Sequence, residues 1–287
     1  MQRDWKALSA TLPPSAAAAP KVASRTQVES KAVVSAPDGW VFEVRAPVTL
    51  QHLVVKSFGG DPGAASNVSG SAGGVRVLAG SISVENCRIS SVNGTGLVTK
   101  DEVESVKLVT SIFGPCGRSG IVLNSRVVLR SMITGIKVRD CTLAALSINT
   151  GIVGLKDCFI EGCTQGVQGV QATSSDLPTT IELSSVRIER CERGIWSYNF
   201  GAKDAVTIAC SDCVVKECPK ALEASGEKAV ITWGSSNTAE ACGAIIVFEE
   251  KGGKIEGAST KTAPAPASPA AGAETSSKTF RLYCFPA

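Results

Sequence analysis

The sequence is poor in aromatic residues, in histidine and in net charge. Aromatic residues occupy 5% of the 287 positions, His52 is the single histidine, and 29 Lys and Arg residues against 26 Asp and Glu residues leave a net charge of +3. Proteins that bind nucleic acid through its phosphates usually carry a larger basic excess. No apolar run approaches the ~20 residues that a bilayer-spanning helix needs. We therefore expect neither a specific nucleic-acid partner nor a membrane span.

The two ends of the chain differ in composition from its middle. Residues 1–29 combine a short amphipathic stretch with an Ala/Pro-rich linker, and residues 258–287 contain an Ala/Pro/Ser-rich linker followed by an apolar tail. Such linkers rarely form a packed core. We predict one folded domain over residues 30–257, flanked by two extensions. The tail is expected to dock either on this domain or on a partner.

The cysteines predict a reducing environment. There are 11 of them, an odd number, and the start of the sequence lacks the pattern of a secretory signal. Free thiols that serve as small core residues explain them better than a disulfide framework does. We expect a cytoplasmic protein. Association with the cytoskeleton is one option, and import into mitochondria is an alternative.

A repeat runs through the middle of the chain. Seven segments alternate apolar and variable residues, are interrupted by a polar turn former, and then resume the alternation one position out of phase. The first apolar column consists of Val48, Ile82, Val106, Ile136, Val153, Ile181 and Ile208. The polar column consists of His52, Asn86, Thr110, Asp140, Asp157, Ser185 and Asp212. The last column consists of Phe58, Val92, Cys116, Leu146, Cys163, Cys191 and Cys218.

This pattern indicates a strand that bends at the polar residue. A straight strand would send half of these apolar residues to solvent, whereas Asn, Asp, Ser and Thr side chains favour a bend. Glycine then introduces a second corner through its positive φ, at Gly96, Gly120, Gly151, Gly166 and Gly194. The prediction is an all-β fold, a single-stranded right-handed parallel β-helix of about seven or more coils with an internal ladder of cysteines.

Two of the repeats resemble a known group of proteins. The segments 153–163 (VGLKDCFIEGC) and 181–191 (IELSSVRIERC) are similar to repeats of the pectin-lyase-like right-handed β-helix superfamily, and the resemblance covers residues 48–222. It implies the fold and leaves the function open, because that superfamily includes polysaccharide lyases, glycoside hydrolases, phage tailspikes and non-catalytic scaffolds. A second similarity, through residues 80–87 (GSISVENC), is to the β-helix of tubulin cofactor C and cyclase-associated protein.

The catalytic candidates are Asp140 and Asp157. The repeat places them in one column on consecutive coils, with backbones about 4.8 Å apart, and glycoside hydrolysis uses two carboxylates that flank the scissile bond. A turn column explains both residues without chemistry. The resemblance adds that hydrolases of the superfamily carry Gly-His-Gly and Arg-x-Lys elements, which this sequence lacks. We therefore predict that the protein is not an enzyme.

Two groups of residues are candidates for binding. One is a basic stripe that would face an acidic partner: Arg118, Arg126, Arg130, Lys137 and Arg139. The other is an aromatic corner loop formed by Trp196, Tyr198 and Phe200. A solvated face balanced by acids of neighbouring coils is the alternative for the stripe. Cys210-x-x-Cys213 lacks the second half of a zinc site, so we predict neither a metal nor a cofactor.

The function hypothesis is a non-catalytic scaffold that binds proteins, with a place in a cytoskeletal or other large assembly. The alternative is a carbohydrate-active or carbohydrate-binding β-helix that uses Asp140 and Asp157 together with the aromatic residues. A glycan partner belongs to this second hypothesis.

Overall fold

The computed structural model describes residues 32–37, 39–59, 72–171, 177–243 and 247–258, without the side chains of Asp101, Val247 and Phe248. The chain divides into two compact units, Met1–Ser30 and Lys31–Ala287, and every described residue belongs to the second. The predicted extension 1–29 lies outside the described residues, as does the predicted segment 258–287 apart from Ala258.

The described residues form strands and turns, with no helix among them. In chain order the strands are β1 (Ala32–Ala36), β2 (Trp40–Val44), β3 (Val48–Gln51), β4 (Leu53–Ser57), β5 (Gly73–Glu85), β6 (Arg88–Ser91), β7 (Thr95–Val109), β8 (Ile112–Cys116), β9 (Ile121–Leu123), β10 (Arg130–Thr134), β11 (Lys137–Arg139), β12 (Ala144–Ile148) and β13 (Gly151–Lys156). They continue as β14 (Phe159–Glu161), β15 (Gln165–Gln171), β16 (Thr179–Ser184), β17 (Arg187–Glu189), β18 (Arg193–Asn199), β19 (Val206–Ser211), β20 (Val214–Lys216), β21 (Lys220–Ser225), β22 (Ala229–Trp233), β23 (Thr238–Glu240), β24 (Val247–Glu250) and β25 (Lys254–Glu256).

The strands stack into three parallel faces. Face A is a nine-stranded sheet in the order β1-β4-β6-β8-β11-β14-β17-β20-β23. The other strands form one 16-stranded sheet, in which β5 and β7 run without a break from face C into face B. Face C contains β2, the first halves of β5 and β7, and β9, β12, β15, β18, β21 and β24. Face B contains β3, the second halves of β5 and β7, and β10, β13, β16, β19, β22 and β25.

The chain visits face B, face A and face C in turn, and each turn lies directly on the one before it. All pairs are parallel, and equivalent positions of successive coils face each other, as in Val153↔Ile181 and Ile181↔Ile208. Register shifts occur in the pairs β5–β7 and β6–β8. At a strand spacing of about 4.8 Å, nine levels give a rod about 40 Å long. The predicted all-β parallel solenoid is therefore confirmed, with about eight turns in the described residues.

The corner between faces B and A is made by the predicted polar column. His52, Asn86, Thr110, Asp157, Ser185 and Asp212 all have φ between 47° and 55°. In this left-handed region the chain turns sharply, and Asn and Asp tolerate it better than most residues do. Each bend brings the next residue into the interior, where Cys87, Cys158 and Cys213 are at most 2% exposed.

The predicted register of the fourth coil was wrong. β10 pairs Ser131 with Val106 and Ile133 with Leu108, so Ser131, and not Ile136, occupies the first column. Val138 lies on face A beside Phe113. The error arose because the corner after face A also places a positive-φ residue before a buried cysteine, so Asp140-Cys141 resembles Asp157-Cys158.

The last column also needs a correction in the first two coils. Phe58 and Val92 are 53% and 59% exposed, because Ser57 and Ser91 occupy the inward positions. From the third coil onward the column is a ladder of buried cysteines, in which the backbone of Cys116 pairs with that of Cys141 on the next coil. The ladder consists of Cys116, Cys141, Cys163, Cys191 and Cys218.

The glycines that begin face C are needed because a Cβ would not fit there, and not because the backbone has a positive φ. A Cβ on Gly166 would lie 2.4 Å from the carbonyl oxygen of Gly194, and one on Gly194 would lie 2.6 Å from that of Ala221. Neither residue is among those with positive φ. Gly151 does have a positive φ of 104°, but it begins β13 on face B and is not part of this corner.

The outer side of face C is covered over its middle coils. Val98 and Val122 point outward from β7 and β9, yet both are 1% exposed, and every residue of β12 is buried. From β15 onward, and clearly at β18, buried and half-buried residues alternate again. The outer side of β18 is therefore a part of this face where large aromatic side chains reach solvent.

Candidate functional site

Three aromatic side chains form a ridge on the outer side of β18. Trp196 and Tyr198 alternate along the strand with the buried residues Ser197 and Asn199, and Phe200 follows directly after the strand. The prediction of a corner loop was wrong for Trp196 and Tyr198, which lie within the strand, and right for Phe200, which lies in the bend that follows it. The alternation of large aromatic with small polar residues was the signal for a strand, because side chains of a strand alternate between its two sides.

The rings of this aromatic ridge contact one another in series. The ring centroids of Trp196 and Tyr198 lie 5.0 Å apart in a stacked arrangement, and those of Tyr198 and Phe200 lie 4.0 Å apart, edge to face. Phe200 is 52% exposed, whereas the other two are half-buried. Aromatic pairs of this kind stabilise each other by about 0.5–1.5 kcal/mol beyond their buried area. The ridge is thus a preformed surface with one freely accessible ring.

Buried amide and hydroxyl groups hold the end of the ridge. The Asn199 Oδ1 accepts hydrogen bonds from the backbone N–H groups of Gly201 at 2.8 Å and Ala202 at 2.7 Å. The Asn199 Nδ2 donates to the carbonyl oxygen of Asp204 at 2.8 Å, and the Ser197 Oγ donates to that of Val206 at 3.1 Å. These bonds fix the turn that follows Phe200 and thereby the direction of its ring.

Charged residues brace the other end of the ridge. The Arg193 guanidinium lies over the Trp196 ring, 4.8 Å from its centroid, and its Nε donates to a Glu223 carboxylate oxygen at 2.9 Å. The Lys220 Nζ lies 3.3 Å from the same oxygen, and Glu223 is 4% exposed. The negative charge of the buried Glu223 carboxylate is therefore compensated by two neighbouring cations.

The indole nitrogen of Trp196 has no hydrogen-bond partner among the described residues, although it is buried. A buried indole N–H usually finds an acceptor. It is the one buried polar group of the ridge for which the described contacts provide no acceptor.

Asp140 and Asp157 are not brought together. Asp157 lies at the corner between faces B and A, where its N–H donates to the carbonyl of Ser184. Asp140 lies at the corner between faces A and C, so close to Gly162 that a Cβ added there would lie 3.1 Å from the Asp140 Oδ1. The width of face A separates the two carboxylates, because the fourth coil is shifted by five residues from its predicted register. The predicted catalytic pair is therefore not formed.

The predicted basic stripe is dispersed over the rod. Lys137 and Arg139 lie on face A, in β11, and Arg130 begins β10 on face B. Arg118 lies at the corner between faces A and C, and Arg126 at the corner between faces C and B. These residues span almost one full coil, so the chain carries them past all three faces.

The two members on face A are balanced by acids. The Lys137 Nζ lies 2.9 Å from a Glu161 carboxylate oxygen and 4.8 Å from the centre of the Phe159 ring. The hydrogen bond from Lys137 lowers the pKa of Glu161. The Arg139 Nε lies 4.0 Å from the Asp140 Oδ2. On this face the solvated, charge-balanced alternative describes the residues better than a binding stripe does.

A groove that the sequence patterns did not indicate lies at the corner between faces C and B. It has a volume of about 760 Å³ and is lined by Arg45, Arg76, Leu78, Ala79, Glu102, Arg126 and Val127. Its charged residues come from different coils, up to 81 positions apart in the sequence. The groove could be found only once the strand pairing of the first four coils was known. That pairing places Arg76 beside Glu43.

The cysteines and the described surface offer no metal site. No cluster of three or more His, Cys, Asp or Glu side chains suited to a metal occurs within the described ranges. All ten cysteines there are free of disulfides. Hydrogen bonding with Cys213, together with burial, raises the pKa of the Cys210 thiol. The described residues also contain no helix with the length and apolarity needed to cross a bilayer.

Parallel coils that stack on one another, with positive-φ residues at their corners, define a parallel β-solenoid. The sequence matches a protein family described as a right handed beta helix region over residues 73–244, which is more than half of the chain. The chain therefore belongs to the right-handed β-helix family, in agreement with its resemblance to pectin-lyase-like repeats. Searches of the curated proteins and of the solved structures found no match.

Proposed function

We propose that this protein is a non-catalytic β-helix scaffold that binds a protein partner through the aromatic ridge. The observation that carries the proposal is the series of contacting rings from Trp196 to Phe200 on the outer side of a parallel sheet. Aromatic residues are enriched among the residues that dominate binding energies at protein interfaces. In a chain with 5% aromatic residues, three of them in and directly after one strand form the one series of contacting rings among the described residues.

The rigidity of the ridge favours this function. Its backbone is paired on both sides, to β15 and to β21, and its turn is fixed by Asn199. A partner that covers the Phe200 ring would bury apolar surface without having to order the strand below it. Preorganisation of this kind improves affinity because less conformational entropy is lost on binding.

The separation of Asp140 and Asp157 also supports a non-catalytic function. The glycosidase hypothesis needs two carboxylates on either side of one bond, and these two lie at different corners of the rod. The sequence suggested an enzyme only through Asp140 and Asp157, so catalysis by other residues would be a separate hypothesis.

Carbohydrate binding without catalysis is the second candidate, because an exposed aromatic ring beside polar side chains can also stack against a sugar. The two candidates differ in what the ridge would bind: a folded protein surface or a glycan chain. A glycan array probed with the purified protein separates them. Binding to a defined glycan that is lost in Phe200→Ala would favour this second candidate.

A photo-crosslinking experiment tests the scaffold proposal. A benzophenone amino acid is placed at Phe200 and, as a matched control, at Met132, which is 46% exposed on face B. We expect one partner protein to be crosslinked in stoichiometric amount from position 200 and not from position 132. The same set of weak adducts from both positions, or none from position 200, would contradict the proposal.

The cellular location that we propose is the cytoplasm, within a cytoskeletal or other large assembly. The support for it is chemical: nine of the ten described cysteines are buried and none forms a disulfide. Microscopy of a tagged copy tests this location, and a signal confined to the secretory pathway would contradict it.

A further inference from the structure

The groove between faces C and B brings together side chains from four coils. Arg45 follows β2, Arg76 lies in β5 and Arg126 lies between β9 and β10. Leu78 and Val127 contribute apolar surface to the same groove, and Glu102 contributes a carboxylate. A volume of about 760 Å³ lies within the range of about 300–1,000 Å³ that small-molecule sites occupy.

The charges in the groove are partly compensated within the protein. The Glu43 carboxylate lies 2.9 Å from the Arg45 Nη2 and 3.4 Å from the Arg76 Nη1. With Glu102, the described side chains in and beside the groove include two carboxylates and three guanidinium groups. Guanidinium groups bind carboxylates and phosphates through paired hydrogen bonds.

One donor in the groove has no acceptor. The Arg76 Nε is buried, and the described residues provide it with no hydrogen-bond partner. Its single ion pair, with Glu43, is made through Nη1 at the long distance of 3.4 Å. Buried polar groups are paired in nearly all proteins, so an unpaired donor in a groove of ligand size indicates a missing acceptor.

We infer that this groove binds an oxyanion carried on an apolar group. The oxyanion, a phosphate or a carboxylate, would accept hydrogen bonds from Arg76 and Arg126, and the apolar group would lie against Leu78 and Val127. Glu43 would compete with this anion for Arg76 and Arg45. The site lies on the first four coils, away from the aromatic ridge, so the inference does not depend on the proposed function.

Titration calorimetry on the full-length protein with inorganic phosphate and with phenyl phosphate tests the inference. We expect phenyl phosphate to bind more tightly, because its ring contacts the apolar wall. Arg76→Gln and Arg126→Gln are expected to weaken its binding at least tenfold. Glu43→Gln is expected to tighten it, because this change frees Arg76 and Arg45.

Two matched controls separate a built site from general attraction to a basic surface. Arg130→Gln removes a positive charge outside the groove, and Glu256→Gln removes a negative charge at the far end of the rod; both should leave the dissociation constant unchanged. Absence of phenyl phosphate binding at millimolar concentration would overturn the inference. Equal effects of Arg76→Gln and Arg130→Gln, or of Glu43→Gln and Glu256→Gln, would overturn it as well.

A further arm identifies the source of the oxyanion. The same aryl phosphate is offered within a short peptide that contains phosphotyrosine. Tighter binding of the peptide than of phenyl phosphate would indicate a modified protein segment, and weaker binding would indicate a free small molecule.

Discussion

Single residues decide where the chain turns and how closely the coils stack. Asp157, Ser185 and Asp212 were predicted as bends from their side chains, and their positive φ confirms this prediction. The prediction for the glycines was right in position at Gly166 and Gly194 but wrong in its reason. A sequence shows that a glycine is present, but only the stacked coils show the carbonyl oxygen that leaves no room for a Cβ.

The glycine column gives a residue-scale prediction about stability. Gly194→Ala would place a Cβ 2.6 Å from both the Ala221 carbonyl oxygen and the Val215 Cγ1, so the coils must shift apart. We expect the free energy of unfolding to fall by about 2–3 kcal/mol, as for other overpacked sites. Urea denaturation measures this change.

Gly154→Ala is the matched control for that variant. The nearest atom to its added Cβ is the Met132 Sδ, at 3.4 Å, and Met132 is an exposed, flexible side chain. The free energy of unfolding should stay within about 0.5 kcal/mol of that of the native protein or rise slightly. Equal losses in both variants would contradict the steric explanation.

At the scale of the element, the repeat predicted the strands well and their register less reliably. Six of the seven segments began on the predicted column, and the fourth did not, because two corners of each coil share the same chemistry. Asp140-Cys141 and Asp157-Cys158 look alike in sequence, yet one pair follows face A and the other follows face B. The candidate catalytic pair depended on that one register and was lost with it.

The buried thiols give an element-scale prediction about pH. Burial raises the pKa of Cys158 from about 9 to about 11. A raised pKa means that the folded protein binds the proton more tightly than the unfolded chain does. The stabilisation is therefore complete below about pH 9 and is lost between pH 9 and pH 11, by about 2–3 kcal/mol.

Cys158→Val isolates this contribution. Val186 occupies the same inward column one coil further on, so a valine fits the position. Denaturation curves measured between pH 8 and pH 11 should show a shallower loss of stability for the variant than for the native protein. Parallel curves over that whole range would show that Cys158 does not titrate in this way.

At the scale of the whole molecule, the rod has three faces with different surfaces. Face A carries paired charges such as Lys137 with Glu161, whereas face C carries the aromatic ridge. Neither distribution could be read from the sequence, because a run such as Arg118 to Arg139 passes all three faces within a single coil. The sequence indicated Trp196, Tyr198 and Phe200 as a binding candidate because aromatic residues are scarce in this chain. Only the structure showed that two of them lie on a strand.

The central claim is that this rod is a non-catalytic platform that binds its partner through the ridge. The most direct measurement is the dissociation constant of the crosslinked partner for the native protein and for a Trp196→Ala/Phe200→Ala variant of unchanged melting temperature. We predict a loss of at least 30-fold, because two anchoring rings are removed, and no change for Asp140→Asn/Asp157→Asn. Unchanged binding by the ridge variant, or loss of binding in the aspartate variant, would contradict the account.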